Sequence, residues 1–405
     1  MRLRMMHLRM RSFHRPAFAI FGVLAALGIA SVHEAAAQPV VRFARSWSAD
    51  SFGAEPLFRP VAILAVAPCE LWVSDAGNGT IYRYDCRGRA VGRVGRKGEG
   101  PGEFNVPAPL SRLRGDTVGV WDQRQQRLSL FDRSGRFLRA ERIELSPMRH
   151  GFVRGFGRAG ATTVMHTDNY PATEPRPNER YSFFWPVSGD GAVGTALLRA
   201  PASQALIDRS AAASTRIDAP FQRVPVALFT ADGHVLVGNT GSRELSRFRY
   251  GPRMVPAGRL ALDLPAVPVT RRDRRAWLDS VRARLAHDRE RSELDPAAKA
   301  AFVERHERLL DRVSFPATRP YYTMAALDER NDLWLQLPPS ANGRARWQVR
   351  DGRTGRLLRT IELPTGNPVR AAAPRGGALY VVEVDPEGVA FVTRYAPPAP
   401  LPGRR

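Results

Sequence analysis

Cysteine is almost missing from this chain: Cys69 and Cys86 are the two in 405 residues, so no Cys-x-x-Cys metal or redox pair can be built. Lysine is as scarce, at Lys97 and Lys299, which removes the Gly-x-x-x-x-Gly-Lys-Ser/Thr phosphate loop. Neither His-Glu-x-x-His nor Gly-x-Ser-x-Gly occurs, which excludes the common zinc-protease and serine-hydrolase signatures. Beyond the first forty residues no apolar run is long enough to span a bilayer, so no transmembrane helix is expected in the mature protein.

What is present begins with a targeting pattern. Arg2, Arg4, Arg9, Arg11 and Arg15 precede an apolar stretch from Ala17 to Val32 and the small residues Ala35-Ala36-Ala37. This order predicts a signal peptide over residues 1–37, cleaved between Ala37 and Gln38, and export to the periplasm or the exterior. An uncleaved anchor is the alternative, but a spanning helix needs about 20 apolar residues and this run is shorter. Net charge is +22, and losing the leader removes five arginines and one glutamate, leaving +18. Such a balance would suit nucleic acid, which export argues against; the near-total use of arginine also reads as coding bias. An anionic polymer partner is the remaining basic-surface reading.

Thirty-four glycines and 33 prolines are spread along the chain, as many short strands joined by tight turns require. One unit runs Phe58-Arg59-Pro60, Leu71-Trp72-Val73-Ser74-Asp75, Gly77-Asn78-Gly79, Ile81-Tyr82-Arg83-Tyr84-Asp85 and Gly88-Arg89. It closes with the glycine-rich run from Gly95 to Phe104, which lacks dinucleotide spacing and leads into a strand. A second unit follows at Val118–Asp122, Leu128–Asp132 and Ser134–Leu138, with Gln126 where the first has a glycine. Over residues 55–140 the sequence resembles the NHL repeat, which implies an all-β fold, a six-bladed β-propeller. Weaker units place second-strand starts at Leu71, Val118, Thr162, Val235, Leu333 and Leu379, and three of the five steps have blade length. The propeller is expected over residues 38–397, with Val40–Ala44 supplying the outer strand of the last blade and a disordered Pro/Arg tail at 398–405.

The longest step holds a helical hairpin, expected over 270–313 between blades four and five and packed on one end of the disc. Thr270 with Asp273 has capping-box spacing, and Asp295-Pro296 is a second helix start. Trp277, Leu278, Val281 and Leu285 share one helical face, and Phe302, Val303, His306, Leu309, Leu310 and Val313 another.

Candidate site residues are few. A hairpin turning at Gly77-Asn78 places Cys69 opposite Cys86, so a disulfide is expected there, with two buried thiols as the alternative. Asp75 and Asp122 end the second strands of consecutive units; they can bind turn amides, or belong to a carboxylate ring for Ca²⁺. His166, with Asp168 and Asn169 close by, is expected in a loop that metal or substrate could use. No cofactor is expected, with Ca²⁺ the one candidate. These features predict a binding or scaffolding propeller whose loop-bearing mouth, beside the hairpin, takes a protein, peptide or anionic polymer. The alternative is a metal-dependent hydrolase or lyase of the lactonase/esterase propeller type, an analogy at the level of fold.

Overall fold

The computed structural model describes residues 40–113, 116–145, 152–159, 162–169, 179–208, 215–293, 295–339 and 343–398. The leader, its cleavage point and residues 399–405 lie outside them.

Among the described residues, six sheets of four or five strands account for most of the β-structure, with a two-stranded hairpin at Ser51–Phe52 and Glu55–Pro56. Sheet one is a meander of Pro60–Ala67, Glu70–Asp75, Thr80–Asp85 and Ala90–Val94. Sheet two repeats it from Pro107–Arg112 to Phe137–Arg142, and sheet four from Pro225–Phe229 to Val255–Ala261. Sheet three starts at Phe152–Ala159 and Thr162–Asn169, and adds a fifth strand, Thr215–Asp218, to its edge. Sheet five starts at Met324–Leu327 and sheet six at Val369–Arg375. First strands touch in chain order, and that of sheet six returns to that of sheet one. Radially packed meanders of this kind form a β-propeller.

The side chains explain the arrangement. Second and third strands are apolar on both faces, as strands covered on both sides must be: Leu71, Trp72 and Val73 are all buried. One face of each sheet packs on the sheet before it and the other on the sheet after. Thus Val73 and Tyr84 meet Tyr380 and Val382 of sheet six, while Trp72 and Ile81 meet Val120 and Phe131 of sheet two. Equivalent clusters join two to three, three to four, four to five and five to six. The fourth strands of sheets one, two and four, such as Ala90–Val94, are mostly exposed.

The turn after the second strand of sheet one recurs in sheet two. Gly79 takes a left-handed φ of 64°, and a Cβ there would lie 2.9 Å from the Phe104 carbonyl. Gln126, at the same place in sheet two, takes φ 51°, a conformation that costs a non-glycine residue about 1 kcal/mol. The departure from the glycine pattern thus keeps the same backbone turn.

The N-terminal segment closes the ring differently from expectation. Val40–Arg42 pairs in parallel with Leu357–Glu362 of sheet five, and Ala44–Ala49 pairs antiparallel with Ala390–Ala396 as the outer strand of sheet six. The cause is Phe43, whose side chain is buried between sheets five and six, so the chain crosses between them there.

Cys69 and Cys86 form a disulfide beside the Glu70↔Asp85 pair. By loop entropy, closing so short a loop is worth about 3 kcal/mol.

The helices are α1 (Arg271–Arg291) and α2 (Pro296–Leu310), the first begun by the Thr270–Asp273 capping box and the second by Asp295 with Pro296. Trp277, Leu278, Val281, Leu285, Leu309 and Leu310 pack around Ile217 and Leu206 of sheet three. Phe302 is not part of that cluster and rests on His306. Among the described residues no helix is long and apolar enough to cross a membrane.

Candidate functional site

The six first strands enclose a cavity of about 720 Å³, lined by residues 63–65, 110–113, 154–156, 227–233, 325–329 and 372–375, with Arg158, Tyr250 and Asn331. These are the later parts of the first strands and, in sheets four and five, the turns that follow. The site therefore takes in the end of the channel where first strands turn into second strands. The helical hairpin joins the last strand of sheet four to the first of sheet five. A meander of four strands returns to its starting end, so the hairpin lies at the other end of the ring. The mouth expected beside the hairpin is thus not where this cavity lies.

Apolar side chains, Ile63, Leu110, Phe156, Leu228 and Ala373 among them, form much of the wall; four arginines, Arg112, Arg154, Arg158 and Arg375, and three carboxylates, Asp232, Asp328 and Glu329, interrupt it. Arg112 donates to the Ala65 carbonyl. Enclosure by protein lowers its pKa, and the charge of Arg375 lowers it further. Arg154 donates through Nε to Oδ2 of Asp168 at 2.7 Å. Burial pushes the Asp168 carboxyl up, but His166 and Arg154 together hold it below the usual carboxylate range.

His166 belongs to this same group. It sits inside the second strand of sheet three rather than in a loop, opposite Gly155 and Phe184. Its Nε2 is 3.0 Å from the Ser182 hydroxyl, which donates to Oδ1 of Asp168 at 3.0 Å, and its ring stacks on Phe184. All three polar residues are buried. A serine nucleophile needs a histidine oriented through its other nitrogen by the acid. Here the serine and the carboxylate both approach the same nitrogen, with His166 Nε2 3.5 Å from Asp168 Oδ1. The network orients Arg154 at the cavity wall.

Asp75 and Asp122 stand at the opposite end, because Asp75 pairs with Pro60, the first residue of its neighbouring strand. The Asp75 carboxylate accepts from the backbone amides of Phe58, Arg59, Gly77 and Asn78. Asp122 accepts from those of Asn105, Val106, Arg124 and Gln125. Their lone pairs fasten the incoming crossover to the turn. His166 lies in a third sheet, and among the described residues no group of three His, Cys, Asp or Glu is placed to hold a metal ion. The donor set does not fit Ca²⁺.

No family model and no curated protein matches this chain. Solved structures similar to it include a Bacteroides fragilis protein described as a candidate for export, 13% identical, with coverage of 88% of this chain and 94% of that one and a TM-score of 0.45. Regucalcin of Agrobacterium tumefaciens, a calcium-binding protein, is 12% identical over 87% of this chain and 94% of its own, at a TM-score of 0.44. The Cps50 (Swd1) β-propeller domain of Myceliophteria thermophila is 10% identical over 87% and 99%, at 0.40. Likeness this distant bears on no residue of the site.

The cavity arginines were not singled out from sequence. In a strand, arginine ordinarily marks a solvated face, and Arg112, Arg158 and Arg375 are far apart in the chain. The available signal is positional: two of them, Arg112 and Arg375, are the last residues of first strands.

Proposed function

We propose that the chain is an exported, six-bladed propeller of the NHL type that acts by binding, and that its ligand is held in the channel at the end framed by first-to-second-strand turns. The observation that carries this reading is the cavity itself, built from the first strand of every sheet and lined by arginines on apolar walls. A volume of about 720 Å³ suits a small molecule, or one narrow group of a peptide or polymer. Cyclic contact of the first strands supports six blades, and the repeated turns at Asp75 and Asp122 support the NHL type. The Cys69–Cys86 disulfide suits an oxidising compartment. Turnover has less support, since both candidate carboxylates are engaged by backbone amides. Screening the exported protein against lactones, esters and amidated peptides, with and without Ca²⁺ or Zn²⁺, should give no turnover. Metal-dependent hydrolysis that disappears in Asp75→Ala, Asp122→Ala or His166→Ala proteins shown by circular dichroism to remain folded would replace binding with the hydrolase reading.

A further inference from the structure

We infer that Arg112, Arg158 and Arg375 form an anion-recognition crown in the channel, suited to the carboxylate or phosphate head of a small amphipathic molecule whose apolar part lies deeper. The inference rests on the binding reading above and gives it a ligand chemistry.

Register puts the three arginines at one end of the ring. Arg112 lies opposite Val118, Arg158 opposite Thr163 and Arg375 opposite Ala378, each beside the turn into the second strand. Sheet one separates sheets six and two, and the corresponding part of its first strand carries Ala65, whose carbonyl Arg112 reaches, while the charge of Arg375 acts on Arg112. Among the described residues neither Arg158 nor Arg375 has an ion-pair partner, and the buried Nε of Arg375 donates to nothing. The acidic residues of the lining are each held by another group, although Glu329 still acts on Arg112. Asp232 pairs with Arg247, Asp328 accepts from the Trp334 indole at 3.0 Å, and Glu329 accepts from the Gly376 amide.

Asp116 and Glu329 act on Arg112 from a distance, but guanidinium groups gathered with no ion-pair partner of their own in a protein-walled space weaken the empty protein. A carboxylate or phosphate satisfies such planar forks two bonds at a time. Toward the channel interior the first strands of sheets one, two and six offer Ile63, Leu110 and Ala372, which can bury a hydrocarbon portion but no second charge.

Calorimetric titration of the exported protein with octanoate, octyl phosphate and octan-1-ol tests the inference. The two anions should bind one per chain, at least tenfold more tightly than the alcohol, and weaken as salt rises. The double variant Arg112→Gln/Arg375→Gln should lose at least tenfold in octanoate affinity and keep its weak hold on the alcohol. Arg375→Gln alone should melt no lower than the parent, because it removes an uncompensated charge from the empty site. Octanoate binding no better than octanol, or undiminished in the double variant, overturns the crown and leaves the channel reading standing. Failure of all three probes to bind removes both. If the double variant does not fold, the anion-to-alcohol ratio and its salt dependence in the parent protein still decide.

Discussion

Deleting residues 40–49 is expected to abolish cooperative folding. This segment ties three sheets together. Phe43 is 3% exposed and packs among Trp334, Trp347, Ile361 and Tyr395. Trp47 lies over Gly88, donates its indole N–H to the Cys86 carbonyl at 2.8 Å and stacks near Tyr84 and Tyr380. Removing a buried Phe costs about 3–5 kcal/mol, and the half-buried Trp47 adds to it. Loss of the Ala44–Ala49 strand also uncovers the edge of sheet six for pairing with other chains. Against a total stability of about 5–15 kcal/mol, these losses leave little or nothing. Circular dichroism melts and size-exclusion chromatography check it: the expected result is aggregate or a broad, weak transition. A monomer melting like the parent would show that the ring holds without its N-terminal closure.

Asp75→Ala should destabilise the fold by about 3–5 kcal/mol. The carboxylate is fully buried and holds four backbone amides, two from the incoming crossover and two from its own turn. Each buried amide left without a partner costs about 1–3 kcal/mol, reduced where water can reach it. Asp122→Ala should lose a similar amount, since its four bonds go to the equivalent amides of the next sheet. Urea titration reads both losses, and their size should be the same in EDTA as in Ca²⁺. A variant of undiminished stability that has lost Ca²⁺ binding would return these carboxylates to a metal-binding role.

Much of the fold was legible because strands covered on both faces leave an unambiguous pattern. Leu71, Val118, Thr162, Val235, Leu333 and Leu379 all lie at or within one residue of the start of a second strand. The caps at Thr270 and Asp295 also read directly, since each is a local hydrogen-bond device. His166 was misplaced because Thr167, Asp168 and Asn169 resemble a turn; they continue the strand because Ser182 and Arg154 satisfy Asp168 inside the fold. The cavity was hidden for a different reason. It exists only when strands from all six sheets converge, and no local pattern distinguishes an arginine facing a channel from one facing bulk water.

Ligand binding is expected at the channel end farthest from the helical hairpin. Hydrogen exchange of the exported protein with and without saturating octanoate tests that placement most directly. Protection should rise in residues 110–113, 228–233, 326–331 and 372–375, with α1 and α2 unchanged. Protection confined to residues 271–310, with none at those turns, would contradict it and move the binding face to the hairpin.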